Sequence, residues 1–168
     1  TAGADAVTGG AGDDTITGNY GTTPTIGLTS LDAIDGGDGT DTLNIAVTAA
    51  INLANAVGAT VSNVENINLT SNGTVTADTK AYTGLTSLSS SSVGNSTFTA
   101  SATTDVVAGI AAPTGAGAAV IDGAKNVTLS VSDTATTAAA SGNTIVIGGT
   151  TAPAGAIVVS QNESVTDG

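Results

Sequence analysis

Apolar and polar residues alternate in short runs along this chain, and clusters of glycine, asparagine or serine separate the runs. Thr15-Ile16-Thr17, Thr42-Leu43-Asn44-Ile45, Asn66 through Thr70 and Thr74-Val75-Thr76 keep a two-residue period. So do Thr97-Phe98-Thr99, Asn126 through Val131, Thr144 through Ile147 and Ala156 through Val159. Alternation among β-branched residues predicts strands buried on one face, and the Gly, Asn-Gly and Asp-Gly steps between them predict turns. The long side chains that build amphipathic helices are scarce. Only Ala49 to Gly58 shows a trace of helical patterning, with Ile51, Leu53 and Val57 loosely on one side. Many short strands with frequent turns leave two architectures, a sandwich or a solenoid.

Repeats choose between them. Gly9-Gly10-Ala11-Gly12-Asp13-Asp14-Thr15-Ile16-Thr17 has the form G-G-x-G-x-D-x-U-x, where U is a large aliphatic, and Gly36 through Asn44 is a second complete copy. Half-copies precede each, Gly3 through Thr8 and Asp32 through Asp35. The sixth-position aspartates are Asp5, Asp14, Asp32 and Asp41, and the aliphatics Val7, Ile16, Ile34 and Leu43 keep the same phase. Such a unit holds a turn of six residues and a strand of three, so two units are expected to close one coil. The aliphatics would point inward and stack. On that reading same-side turns recur every two units and Asp14 stacks with Asp32. Gly18 through Pro24 is a degraded copy with Thr23 where an aspartate belongs, which puts the opposite-side site in doubt.

Charge adds a chemistry to this pattern. The 168 residues include 14 acids, two lysines, no arginine, no histidine and no cysteine, for a formal charge of −12. Seven of the acids (Asp5, Asp13, Asp14, Asp32, Asp35, Asp38 and Asp41) fall within residues 1–44, where there is no cation. Stacking such turns sets like charges against one another unless a counter-ion intervenes. Gly10, Gly12, Gly37 and Gly39 let the turns curl tightly and turn their carbonyls toward the gap between coils. Carbonyls and carboxylates together form an all-oxygen site, which suits Ca²⁺ and lacks the soft ligands a transition metal would select. The expected ligands are therefore Asp14, Asp32, Asp41, Asp5, Asp13, Asp35 and Asp38, with the turns at Gly10, Gly12, Gly37 and Gly39. Glu65, in VSNVENINL, is expected between two strands or ordering a turn.

The same composition excludes other chemistry. Without cysteine or histidine there is no thiolate or imidazole zinc site and no Ser-His-Asp or Cys-His nucleophile. Lys80 and Lys125 cannot track a phosphate backbone, so nucleic acid is not an expected partner. No apolar run approaches the length of a membrane span, and membrane insertion is not expected. A lyase cleft would need a cation and a nearby base, and neither lysine lies in a recognisable motif, so catalysis is not expected.

The nonapeptides resemble the calcium-binding repeats of RTX proteins. The chain as a whole resembles RTX-type bacterial surface-layer proteins, over about residues 1–150. Beyond the aspartate turns, the resemblance is carried by Ser62 through Ser71, Thr83 through Leu88 and Asp122 through Leu129. It implies an all-β fold, a right-handed parallel β-helix (β-solenoid) with an N-terminal RTX calcium β-roll section. Residues 1–44 would form the calcium-binding turns and 45–168 a Thr/Ala-rich continuation. The two make one structural unit, read as a fragment of a longer protein. The resemblance further implies export by type I secretion, an extracellular location in a surface layer, and calcium-dependent self-assembly with copies of itself. Cell-surface polysaccharide would be met through regions outside this segment. The alternative is a spacer, stalk or binding module of a large RTX adhesin. Three aromatics in the chain are too few for a typical sugar-binding platform.

Overall fold

The structure is a computed structural model that describes residues 4–19, 32–53, 59–111, 118–133 and 144–163. Every strand pairing is parallel, and each strand pairs with one from the next circuit of the chain. The chain is thus an all-β parallel β-helix, a solenoid of stacked coils, with no helix among the described residues. The helical trace at Ala49 to Gly58 gives way to a short strand at Ile51–Asn52, while residues 54–58 lie outside the described set.

Three sheets form the walls. A three-stranded sheet holds β1 (Ala6–Ala11), β3 (Ala33–Asp38) and β6 (Thr60–Ser62). A seven-stranded sheet holds β2 (Thr15–Asn19), β4 (Thr42–Val47), β7 (Asn66–Ser71), β9 (Ser87–Val93), β11 (Asp105–Ala111), β13 (Val127–Asp133) and β15 (Ile157–Glu163). The third wall holds β5 (Ile51–Asn52), β8 (Val75–Asp78), β10 (Ser96–Ala100), β12 (Ala119–Gly123) and β14 (Ile145–Ile147). The three-stranded wall spans only the first three coils. Later coils close on the other two walls with short connections.

Circuit length follows from the register. Thr15 faces Thr42, Thr42 faces Asn66, Asn66 faces Ser87 and Ser87 faces Asp105, so the circuits take 27, 24, 21 and 18 residues. They then lengthen to 21 and 30, where Val106 faces Val127 and Val127 faces Ile157. The nonapeptide section therefore closes on three units per coil, where two were expected. A period of nine is compatible with either count. What decides is that turns of different conformation cannot stack. Gly10 and Gly12 are left-handed, as are their partners Gly37 and Gly39, whereas the four residues before Asp32 include no glycine.

The core is a set of in-register columns on the inward faces. Ile16, Leu43, Ile67, Leu88, Val106 and Val127 form one, and from Leu43 onward each is at most 1% exposed. Burying an aliphatic of this size contributes about 1.5–3 kcal/mol, so a column of small side chains holds the coils without aromatic bulk. Two aromatics join the core, Tyr82 and Phe98, the latter fully buried between Ala77 and Ile121 in the adjoining coils. In the serine-rich β9 the inward positions Ser90 and Ser92 are buried, and Ser92 Oγ lies 2.8 Å from Ser96 Oγ.

Candidate metal centre

The two complete nonapeptides form one corner of the solenoid, on consecutive coils. Each motif carries a strand of the three-stranded wall into a strand of the seven-stranded wall: Gly9–Asp14 runs from the end of β1 to the start of β2, and Gly36–Asp41 from the end of β3 to the start of β4. The motif's glycines serve two separate needs. Gly10 and Gly12 (φ +130° and +104°), like Gly37 and Gly39 (+99° and +135°), adopt backbone that a side chain resists. Gly9 and Gly36 are absent from the left-handed region and are needed for space instead. A Cβ on Gly36 would lie 2.5 Å from Asp41 Oδ2 and run into the Asn63 carbonyl oxygen of the next coil. A Cβ on Gly9 would meet Asp14 Oδ2 at 2.7 Å and the Gly36 carbonyl oxygen.

Carboxylates bond the coils to one another here. The Asp14 amide donates to Asp41 Oδ1 at 2.7 Å, and the Asp41 amide donates to Glu65 Oε2 at 2.8 Å. Asp14, Asp41 and Glu65 thus climb the corner in one column. A parallel column stands at the start of the three-stranded wall, where the Asp5 amide donates to Asp32 Oδ1 at 2.9 Å. Asp13 Oδ1 accepts from the Thr40 amide at 2.8 Å. Asp35 Oδ1 accepts from the Gly37 amide at 3.2 Å and from Asn63 Nδ2 at 2.8 Å. Asp38 is exposed, and its carbonyl accepts from the Gly12 amide at 2.7 Å.

The expected set is therefore brought together as Asp14 with Asp41 and Asp5 with Asp32, each pair 27 residues apart. Asp14 and Asp32, the pair expected to stack, begin strands of different walls. Asp41 is fully buried and Asp32 nearly so, at 6% exposure. The second carboxylate oxygens of Asp14 and Asp41 are buried with no hydrogen-bond partner among the described residues. An ionised carboxylate held in that way is costly unless a proton or a cation meets it.

Glu65 belongs to this column without belonging to a nonapeptide. In the third coil the six-residue turn contracts to Asn63-Val64-Glu65, between β6 and β7. Asn63 replaces the first glycine and takes a left-handed φ of +50°, which asparagine tolerates. The sequence carried a signal for Glu65: Asp14-Thr15-Ile16, Asp41-Thr42-Leu43 and Glu65-Asn66-Ile67 share an acid two residues before an inward aliphatic.

In kind, these donors fit the calcium ion that the nonapeptides lead one to expect. They are all oxygen, comprising the unpartnered carboxylate oxygens and the turn carbonyls of Gly36 and Asn63 beside them. No group of three or more acidic side chains gathers closely among the described residues, so an ion here would need backbone carbonyls beside one or two carboxylates. Ca²⁺ accepts such a mixture, with about six to eight oxygens in flexible geometry. Comparison of the chain with protein-family models, with curated proteins and with solved structures finds no match.

Proposed function

We propose that this chain is a calcium-stiffened solenoid segment of a secreted, RTX-type surface-layer or extracellular filament protein. On this reading it leaves the cell by type I secretion and associates with copies of itself at the cell surface. The observation that carries the reading is the pair of buried oxygens on Asp14 and Asp41, without a hydrogen-bond partner among the described residues, in a stretch (residues 1–44) that contains no lysine, arginine or histidine. Adjacent carboxylates in this column stand one coil apart, about 5 Å. At an effective dielectric constant of about 20 each such pair costs about 3 kcal/mol. A divalent ion reverses that sign and ties successive coils together. No catalytic role is proposed.

Association of copies is supported by the outer face of the seven-stranded wall. Its central outward column runs Thr17, Asn44, Asn68, Ser89, Val107 and Thr128, with no charge along it. Two chains that each carry twelve excess negative charges approach with least repulsion through such a face. The test is circular dichroism together with light scattering while calcium is raised from zero to millimolar. The expected result is a gain of β signal followed by growth of ordered particles. No change in either signal, or an equal response from Asp41→Asn, would overturn the reading.

A further inference from the structure

The nonapeptide pattern leads one to expect an ion between its two complete copies. The structure repeats the same oxygen arrangement one coil further on, where no third copy exists. In the first instance Asp14 Oδ2 and the Gly36 carbonyl oxygen both crowd the place that a Gly9 side chain would take. In the second, Asp41 Oδ2 and the Asn63 carbonyl oxygen crowd the corresponding place on Gly36. Both oxygens lie beside Gly36, and Asp41 Oδ2 has no hydrogen-bond partner among the described residues, on a residue with no exposure to solvent. Glu65 completes the parallel. Its Oε2 receives the Asp41 amide just as Asp41 Oδ1 receives the Asp14 amide.

We infer that the corner holds a second divalent-cation seat, between Asp41 and the Asn63-Val64-Glu65 turn. Its ligands are the Asp41 and Glu65 carboxylates and the Asn63 carbonyl oxygen, and the ion it takes is a hard one of the Ca²⁺ class. The longer glutamate side chain spans the gap left by the three-residue contraction of this turn, so the seat survives loss of the glycine motif. Asp41 then serves both seats, one through each face of the coil, and the corner carries two ions against three carboxylates. This inference rests on the calcium reading above, but its own residue is Glu65.

The experiment is equilibrium dialysis of the whole chain against Ca²⁺, counting ions per chain for wild type, Asp14→Asn and Glu65→Gln. Each variant is expected to bind one ion fewer than wild type. Glu65→Gln keeps an amide oxygen for the Asp41 N–H, so the coil contact is retained. A ¹³C titration of the wild-type chain guards against a variant that fails to fold. The sequence has only two glutamates, Glu65 and Glu163, and calcium should move the Glu65 carboxyl signal. A wild-type chain that binds no ion overturns the calcium reading as a whole. Wild-type binding with one ion lost in Asp14→Asn, but a full count in Glu65→Gln and an unmoved Glu65 carboxyl, overturns the second seat alone.

Discussion

The backbone amide of Asp14 donates to the side chain of Asp41, 27 residues later, at 2.7 Å. A carboxylate in the second coil therefore satisfies a main-chain donor in the first, at the corner between two walls where the strand ladders break. Removing that acceptor leaves a partly buried N–H unpaired. Asp41→Ala should cost about 1–3 kcal/mol in urea unfolding, with or without calcium. Asp41→Asn keeps an acceptor and removes a buried charge, so its stability without calcium should equal or exceed that of wild type.

The glycines of the corner can be ranked. Gly36→Ala forces a methyl group onto Asp41 Oδ2 and the Asn63 carbonyl, and should cost about 1–3 kcal/mol or more. Gly10→Ala meets nothing within 4 Å but must hold a φ of +130°, so its cost is conformational strain, about 1–2 kcal/mol. Gly18→Ala, in β2, makes only ordinary contact at 3.7 Å and should be near neutral. Urea midpoints that reverse this order would contradict the packing described.

Removing calcium should act locally. Chelation is expected to speed amide exchange in β2 and β4 while leaving β11 and β13 as protected as before. A site held at about 100 times its dissociation constant contributes about 2.7 kcal/mol, which sets the size of the local change. Uniform deprotection across the whole chain would argue against stabilisation centred on the N-terminal corner.

Asp122 supplies a pH-dependent clasp at the other end of the rod. The amides of Thr151 and Thr150 donate to its Oδ1 at 2.6 and 2.8 Å and, with a smaller contribution from Lys80, hold its carboxyl below the usual carboxylate range. A depressed folded-state value means that the stabilisation is present above the unfolded value, about pH 4, and is lost as pH falls through the lower folded one. The Thr150 and Thr151 amide resonances should therefore shift below pH 4. In Asp122→Asn that titration should vanish.

Phe98 is the largest side chain sealed in the core, stacked between Ala77 and Ile121. Phe98→Ala should cost about 3–5 kcal/mol by thermal or urea unfolding, because a large buried side chain is lost and the surroundings relax only partly. Phe98→Leu should cost markedly less.

Much of this architecture was legible as a two-residue rhythm. The alternating runs at Thr15, Thr42, Asn66, Thr97 and Asn126 all lie in strands. Some of the hidden strands have inward positions that are not apolar, or ends that are glycine. β9 puts Ser90 and Ser92 inside in place of aliphatics, with Ser92 paired to Ser96, and β1 and β3 run into their Gly-Gly pairs, which read as turns. The aspartates could be placed on a common phase, but not their pairing, because a repeat of nine does not state how many units close a circuit. Glu65 was expected between two strands, where it lies, but its place in the acid column was not, because its turn had shed the glycines that mark the others.

In this rod the strands run crosswise, so the ladder bonds of all three walls lie along its length. Tension applied between the ends would load the coils in series and peel them one after another. Each release would free 18 to 30 residues, or about 60–100 Å of chain at about 3.4 Å per residue. Under stretching the segment would yield stepwise, dissipating work at each coil, with the narrow 18-residue circuit giving the shortest step.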